Sequence, residues 1–168
     1  MKPLLVVDGY NIIGAWELAK KKRWPIEQCR DELIHRLIEY SAFYGCDVVV
    51  AFDGIKSGRR VRSQETIGAL SVVYTRHGET ADQYIERLCD TQRRNRELRV
   101  ATNDSVEQTV VLGRGAARVP ARELLREMAQ AASSQREHLQ KTPVKNTLIS
   151  RLPEKQREVL EKMRRGDQ

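Results

Sequence analysis

The sequence predicts an α/β domain, a mostly parallel sheet with helices on both faces. Three observations carry this. The runs Leu4–Val7, Val48–Phe52, Leu70–Thr75 and Leu98–Ala101 read as short strands, and the first, four apolar residues with two of them β-branched, as one buried on both faces. Segments with helical periodicity separate most of them, and that alternation calls for parallel strands joined by crossovers. Two of the runs also end alike, an apolar stretch followed by Asp8-Gly9 in one case and Asp53-Gly54 in the other.

Taken in order, Leu4–Val7 is the first strand, and residues 12–20 suit a short helix that ends in the basic run Lys20-Lys21-Lys22-Arg23. Pro25 opens a long amphipathic helix over 26–44, with Ile26, Cys29, Leu33, Ile34, Leu37 and Ile38 at helical spacing and Gly45 as its stop. His35 lies off that stripe and is read as a surface residue. The second strand covers 47–52. Residues 54–69 show neither periodicity and are read as a long basic loop. A third strand, 70–75, leads to Thr80 and Gln83, which have capping-box spacing, so a helix is expected to start at Thr80. The fourth strand, 98–101, is followed by a helix to Leu112 with Asp104 as its cap and Glu107 reaching back. Residues 116–119 suit a last edge strand, and Pro120 opens a helix to about Lys141. Residues 142–152 read as a polar linker and 153–165 as a short charged helix. The expected organisation is therefore a domain over 1–141 and a C-terminal helical tail over 142–168.

The 168-residue chain is 32% charged and 40% apolar, with a formal net charge of +7. That composition is globular and leaves no stretch approaching the ~18 apolar residues of a membrane helix. The opening Met1-Lys2-Pro3 runs into a strand and is read as leaving no room for a signal peptide. The positive charge favours a polyanionic partner. Cys29, Cys46 and Cys89 are odd in number and widely spaced, which argues against a disulfide framework or zinc site and fits a reducing, cytoplasmic setting.

In a parallel sheet all the strand carboxyl ends share one edge, where ligands bind. Asp8, Asp53, Asp82 and Asp104 each follow a predicted strand, directly or within one loop, and are expected to converge there. Each has a separate structural explanation: Asp104 as a cap, Asp82 as a partner of the helix dipole, Asp53 as a turn former. Asp8, at the end of a buried strand, has the poorest one. Two carboxylates ~5 Å apart repel by roughly 3 kcal/mol at an effective dielectric of 20, so such a cluster calls for protons or a cation. Oxygen ligands without histidine or cysteine suit Mg²⁺ or Mn²⁺. A hard cation in an acidic pocket ringed by basic residues suits phosphoryl chemistry. Asn11 follows Asp8 closely; it suits orienting Asp8 or a substrate phosphate, or simply capping the loop. Lys56, Arg59, Arg60 and Arg62 in the basic loop, with Arg114 further on, are the candidates for gripping a phosphate backbone; a solvated charge run is the other reading of that loop.

Asp8-Gly9-Tyr10-Asn11, Val49-Val50-Ala51-Phe52-Asp53, Glu79-Thr80-Ala81-Asp82 and Ala101-Thr102-Asn103-Asp104 together resemble the NYN domain, specifically its YacP-like branch, which is similar to PIN-domain nucleases. The likeness continues through Gly113-Arg114-Gly115-Ala116 and residues 121–125 to 164–167. It implies a PIN-like three-layer α/β/α sandwich, with a central mostly parallel sheet of 4–5 strands, and a divalent-metal endoribonuclease. By that likeness Asp8 and Asp82 are the principal catalytic acids, with Asn11 and Asp104 in support; the expected metal ligands are the four converging acids, Asp8, Asp53, Asp82 and Asp104. The branch includes a ribosome-associated nuclease that cuts mRNA, which makes RNA and the ribosome the implied partners.

Two functions follow from these residues. One is a metal-dependent endoribonuclease. The other is an RNA- or ribosome-binding adaptor that keeps the fold without turnover. A phosphatase with a nucleophilic aspartate is excluded by spacing, because its second acid would stand at the position of Tyr10.

Overall fold

The strand β1 (Leu4–Asp8) is buried along its whole length and forms the centre of the sheet. It pairs in parallel with β2 (Asp47–Phe52) on one side and β5 (Leu98–Ala101) on the other. In this computed structural model the described residues are 1–54, 61–141, 154–156 and 158–159. The chain divides into two compact units, Met1–Gln135 and Arg136–Gln168. In the first unit the sheet has six strands in the order β3-β4-β2-β1-β5-β6, with β3 (Ser63–Ile67), β4 (Leu70–Tyr74) and β6 (Ala117–Val119) completing it. Every neighbouring pair is parallel except β3 with β4.

Helices cover both faces. The residues Leu5 and Val7 point into a core shared with α1 (Gly9–Gly14), α2 (Glu17–Lys21), α3 (Ile26–Tyr44) and α6 (Ala121–Lys141). Leu4 and Val6 point the other way, into a core closed by α4 (Ala81–Gln92) and α5 (Ser105–Gly113). The opposite orientation of successive side chains along β1 is thus what makes three layers. The helix α3 stops where expected because Gly45 takes a left-handed conformation, φ 65°, at its end. Cys29, Cys46 and Cys89 are free and buried as core residues. His35 is exposed on the surface of α3, its Nε2 3.3 Å from Glu39.

Three local expectations are corrected. The helix expected over 12–20 is two short helices, because Trp16 interrupts it and turns inward against Trp24, ring centroids 5.5 Å apart. The loop expected over 54–69 contains β3, an antiparallel edge strand that raises the count from the expected 4–5 strands to six. Its side chains are mostly exposed, so it lacks the alternation of a half-buried strand. Glu107 does not reach back to cap α5; its carboxyl group is buried. The linker expected over 142–152 lies outside the described residues, and 154–156 and 158–159 are helical.

Candidate active site

The chain runs from β1 to β2 and β4 on one side, then returns to place β5 beside β1 on the other. This reversal puts a crevice at the carboxyl ends of β1 and β5, the position where open α/β sheets bind ligands. Asp8, Tyr10, Asn11, Asp53, Thr80, Asp82, Asn103 and Asp104 line a cleft there of about 540 Å³.

The local sequence explains how each wall is held. Asp8 ends β1 in register with Ala51 of β2. Gly9 follows at once because the Phe52 ring fills the space beside it: a Cβ on Gly9 would lie 2.3 Å from Phe52 Cε1. Phe52 also packs edge-on against Tyr10 and stacks on Tyr74, and Arg30 Nη1 donates to the Tyr10 hydroxyl at 3.1 Å. Asn11 Oδ1 accepts from the Asn103 backbone N–H at 2.7 Å, and Asn103 Oδ1 accepts from Ala121 N at 2.9 Å. These two amides tie α1, the loop after β5 and the start of α6 together. With Oδ1 of Asn11 used, its Nδ2 donors, which have no hydrogen-bond partner among the described residues, can serve another partner.

The box at the start of α4 is complete. Gln83 N donates to Thr80 Oγ1 and Thr80 N donates to Gln83 Oε1, each at 3.1 Å. It sets Asp82 in the first turn, with its carboxylate near that of Asp8. One residue before the box, Glu79 is buried and paired with both Arg62 and Arg87. Thr75, fully buried, accepts from Gly54 N and donates to the Glu79 carbonyl, each at 2.8 Å.

Among the described residues, Asp8, Asp82 and Glu107 gather, one carboxylate oxygen from each lying within 4.8 Å of the others. They come from β1, α4 and α5, three elements far apart in sequence. Asp104 caps α5, its Oδ1 accepting from Val106 N at 3.0 Å and Glu107 N at 3.4 Å. It lines the cleft without joining the triad, as does Asp53. Glu107 is 2% exposed, and neither of its carboxylate oxygens has a hydrogen-bond partner of ordinary geometry among the described residues. Burial pushes its carboxyl up to about 9; the charges of Asp8 and Asp82 add to this, and the Thr102 hydroxyl opposes it. A buried carboxyl in that position is neutral at pH 7 unless a cation takes the place of the proton.

This donor set fits a hard divalent cation: three converging carboxylates, one of them on a buried side chain whose oxygens have no hydrogen-bond partner of ordinary geometry among the described residues. Sequence reading missed Glu107 because it stands at capping-box spacing from Asp104. The signal was its place four residues before Val111, on the buried stripe of α5.

The candidate RNA-binding residues are divided. Lys56, Arg59 and Arg60 lie outside the described residues. Arg62 sits on Glu79, beside the loop that leads into the cleft. Arg114 follows the C-terminal end of α5, about 13 Å of helix from the capped end, and pairs with Asp90 and Glu86 of α4 rather than lining the cleft.

A PIN-like α/β/α fold with an acidic cleft at its switch point defines the class. The family model of the YacP-like NYN domain matches residues 5–165, and the chain belongs to that family. It is 37% identical to a protein from Bacillus subtilis (strain 168) described as uncharacterized protein YacP, over 98% of each chain. Its structure is similar to the crystal structure of Rae1 (YacP) from Bacillus subtilis, with a TM-score of 0.70 and 37% identity over 98% of this chain and 95% of that one. A tryptophan-to-leucine mutant of that Bacillus protein gives a TM-score of 0.71 and 31% identity, over 95% of this chain and 99% of the mutant.

Proposed function

We propose that this protein is a divalent-metal-dependent endoribonuclease that hydrolyses RNA phosphodiester bonds in the cleft at the ends of β1 and β5. The observation that carries the reading is the convergence of Asp8, Asp82 and Glu107 within 4.8 Å. These three would hold Mg²⁺ or Mn²⁺, with Asp53 and Asp104 on the surrounding walls. When bound, the cation supplies charge neutralisation at the phosphate and acidification of water.

The chain's own residues do the rest. Asp8 and Glu107 are held rigidly by the strand and helix that bear them, so the site needs little reorganisation. Asn11, fixed through Oδ1, offers Nδ2 to a phosphate oxygen. Asp104 Oδ1 is spent on the helix cap, which leaves Oδ2 for a water or a sugar hydroxyl. The net charge of +7 favours a polyanion. Membership of the YacP-like family supports RNA as that polyanion, and the resemblance to a branch that includes a ribosome-associated nuclease extends the reading to cytoplasmic mRNA cleaved on the ribosome. No helix among the described residues is long and apolar enough to cross a membrane.

Incubating single-stranded RNA with the protein tests this. Cleavage is expected with Mn²⁺ or Mg²⁺, is lost in EDTA, and falls at least a hundredfold in Asp82→Asn while RNA affinity stays within about twofold. Cleavage undiminished in EDTA contradicts the mechanism. Salt-sensitive binding without any turnover points instead to the adaptor function.

A further inference from the structure

We infer that Arg62, Arg76 and Arg87 form a second phosphate-binding subsite, which grips the RNA backbone on the far side of the β4–α4 loop from the acidic cleft. The inference rests on the proposed RNA substrate and adds where a strand is held away from the scissile bond.

Arg62, Arg76 and Arg87, with Val61, line a recess of about 580 Å³ that shares none of its lining with the cleft. The loop from Thr75 to Thr80 contributes to both: Arg76 in it lines the recess, Thr80 at its end lines the cleft, and Glu79 beside Thr80 pairs with Arg62 and Arg87. Glu79 is 3% exposed and lies below both guanidinium groups, whose side chains are 42% and 56% exposed. One buried carboxylate thus holds two outward-facing cations. Arg62 is further steadied over the Tyr84 ring at 5.5 Å.

Three guanidinium groups against one carboxylate leave a local charge of +2. Arg76 is exposed and has no ion pair among the described residues. Each guanidinium carries five N–H donors in a planar fork that suits phosphate oxygens. A pair already ordered on a buried anchor loses less side-chain entropy on binding than two free surface arginines would. The geometry also gives the two acids of the Glu79-Thr80-Ala81-Asp82 stretch separate roles: Asp82 gathers with Asp8, whereas Glu79 pairs with the arginines. A phosphodiester strand is favoured over an acidic peptide because one short loop supplies Arg76 to the recess and Thr80 to the cleft, so one extended polyanion can reach both.

The test uses the full chain carrying Asp82→Asn, in EDTA, with fluorescently labelled single-stranded RNA and anisotropy as the readout. Adding Arg76→Gln is expected to weaken binding roughly fivefold, the scale of one exposed charge-assisted contact. It should also reduce the slope of log affinity against log salt by about 0.7. Arg87→Gln is expected to behave alike, and its melting temperature reports whether the anchor survives. Arg126→Gln, the same charge change at an exposed position on α6, sets the background. Losses in Arg76→Gln and Arg87→Gln no larger than in Arg126→Gln overturn the subsite, as does displacement of RNA by polyglutamate as effective as by unlabelled RNA at equal charge. Because the readout is binding without metal, loss of the subsite and loss of the nuclease activity are seen separately.

Discussion

Glu107 and Asp8 approach each other from different layers of the molecule, Glu107 from a covering helix and Asp8 from the central strand, and their carboxylates meet at one end of the sheet. Two such groups at this range repel by about 3 kcal/mol when both are charged, at an effective dielectric of 20. The folded chain therefore favours a proton or a cation between them, and that preference makes the site measurable.

Stability should depend on pH through Glu107. Its carboxyl is pushed up to about 9 in the folded state, from an ordinary value of 4.5. The folded chain then binds more protons than the unfolded one between those values, so stability falls as pH rises through that window. Each tenfold difference in proton affinity between the folded and unfolded chain corresponds to about 1.4 kcal/mol. Thermal melts of the metal-free protein from pH 5 to pH 9 are expected to show a falling Tm, and Glu107→Gln should flatten the profile. Mn²⁺ should reverse the trend, because metal binding displaces the proton and strengthens as pH rises.

Gly9→Ala should destabilise the protein without touching a carboxylate. The added methyl would meet the Phe52 ring, which is itself packed between Tyr10 and Tyr74 and has little room to withdraw. Overpacking of this kind costs about 1–3 kcal/mol, or a Tm lower by about 2–4 °C per kcal/mol for a chain of this size. An unchanged Tm would show that the ring moves freely.

Thr80→Ala should affect both stability and catalysis. It removes one half of the box that starts α4, at a cost of about 1 kcal/mol. The same box sets the turn that carries Asp82. Metal affinity should fall as well, and Thr80→Ser, which keeps the acceptor, should restore both. Restored stability without restored metal binding would separate the cap from the site.

Much of this was legible in the residues themselves. The alternation of strands and helices points to one cleft lined by Asp8, Asp53, Asp82 and Asp104, because parallel pairing puts every strand's carboxyl end on the same edge. The box at Thr80 was visible as spacing alone. The segment Ser63–Ile67 was not, since an antiparallel edge strand exposed on most of its surface carries no burial pattern to read. Glu107 was hidden by a different ambiguity. A glutamate three residues after a capping aspartate has a good local explanation, and only the packing of α5 on the sheet turns the side chain inward. The break at Trp16 is likewise a tertiary effect, in which burying an indole outweighs continuing a helix.

Calorimetric titration of Mn²⁺ into the metal-free protein at about pH 7.5 tests the central claim most directly. The account predicts saturable binding that weakens at least tenfold in Asp8→Asn, Asp82→Asn and Glu107→Gln alike, each variant losing one of three converging ligands. Binding that is absent in the native chain, or equal in all four proteins, would contradict it.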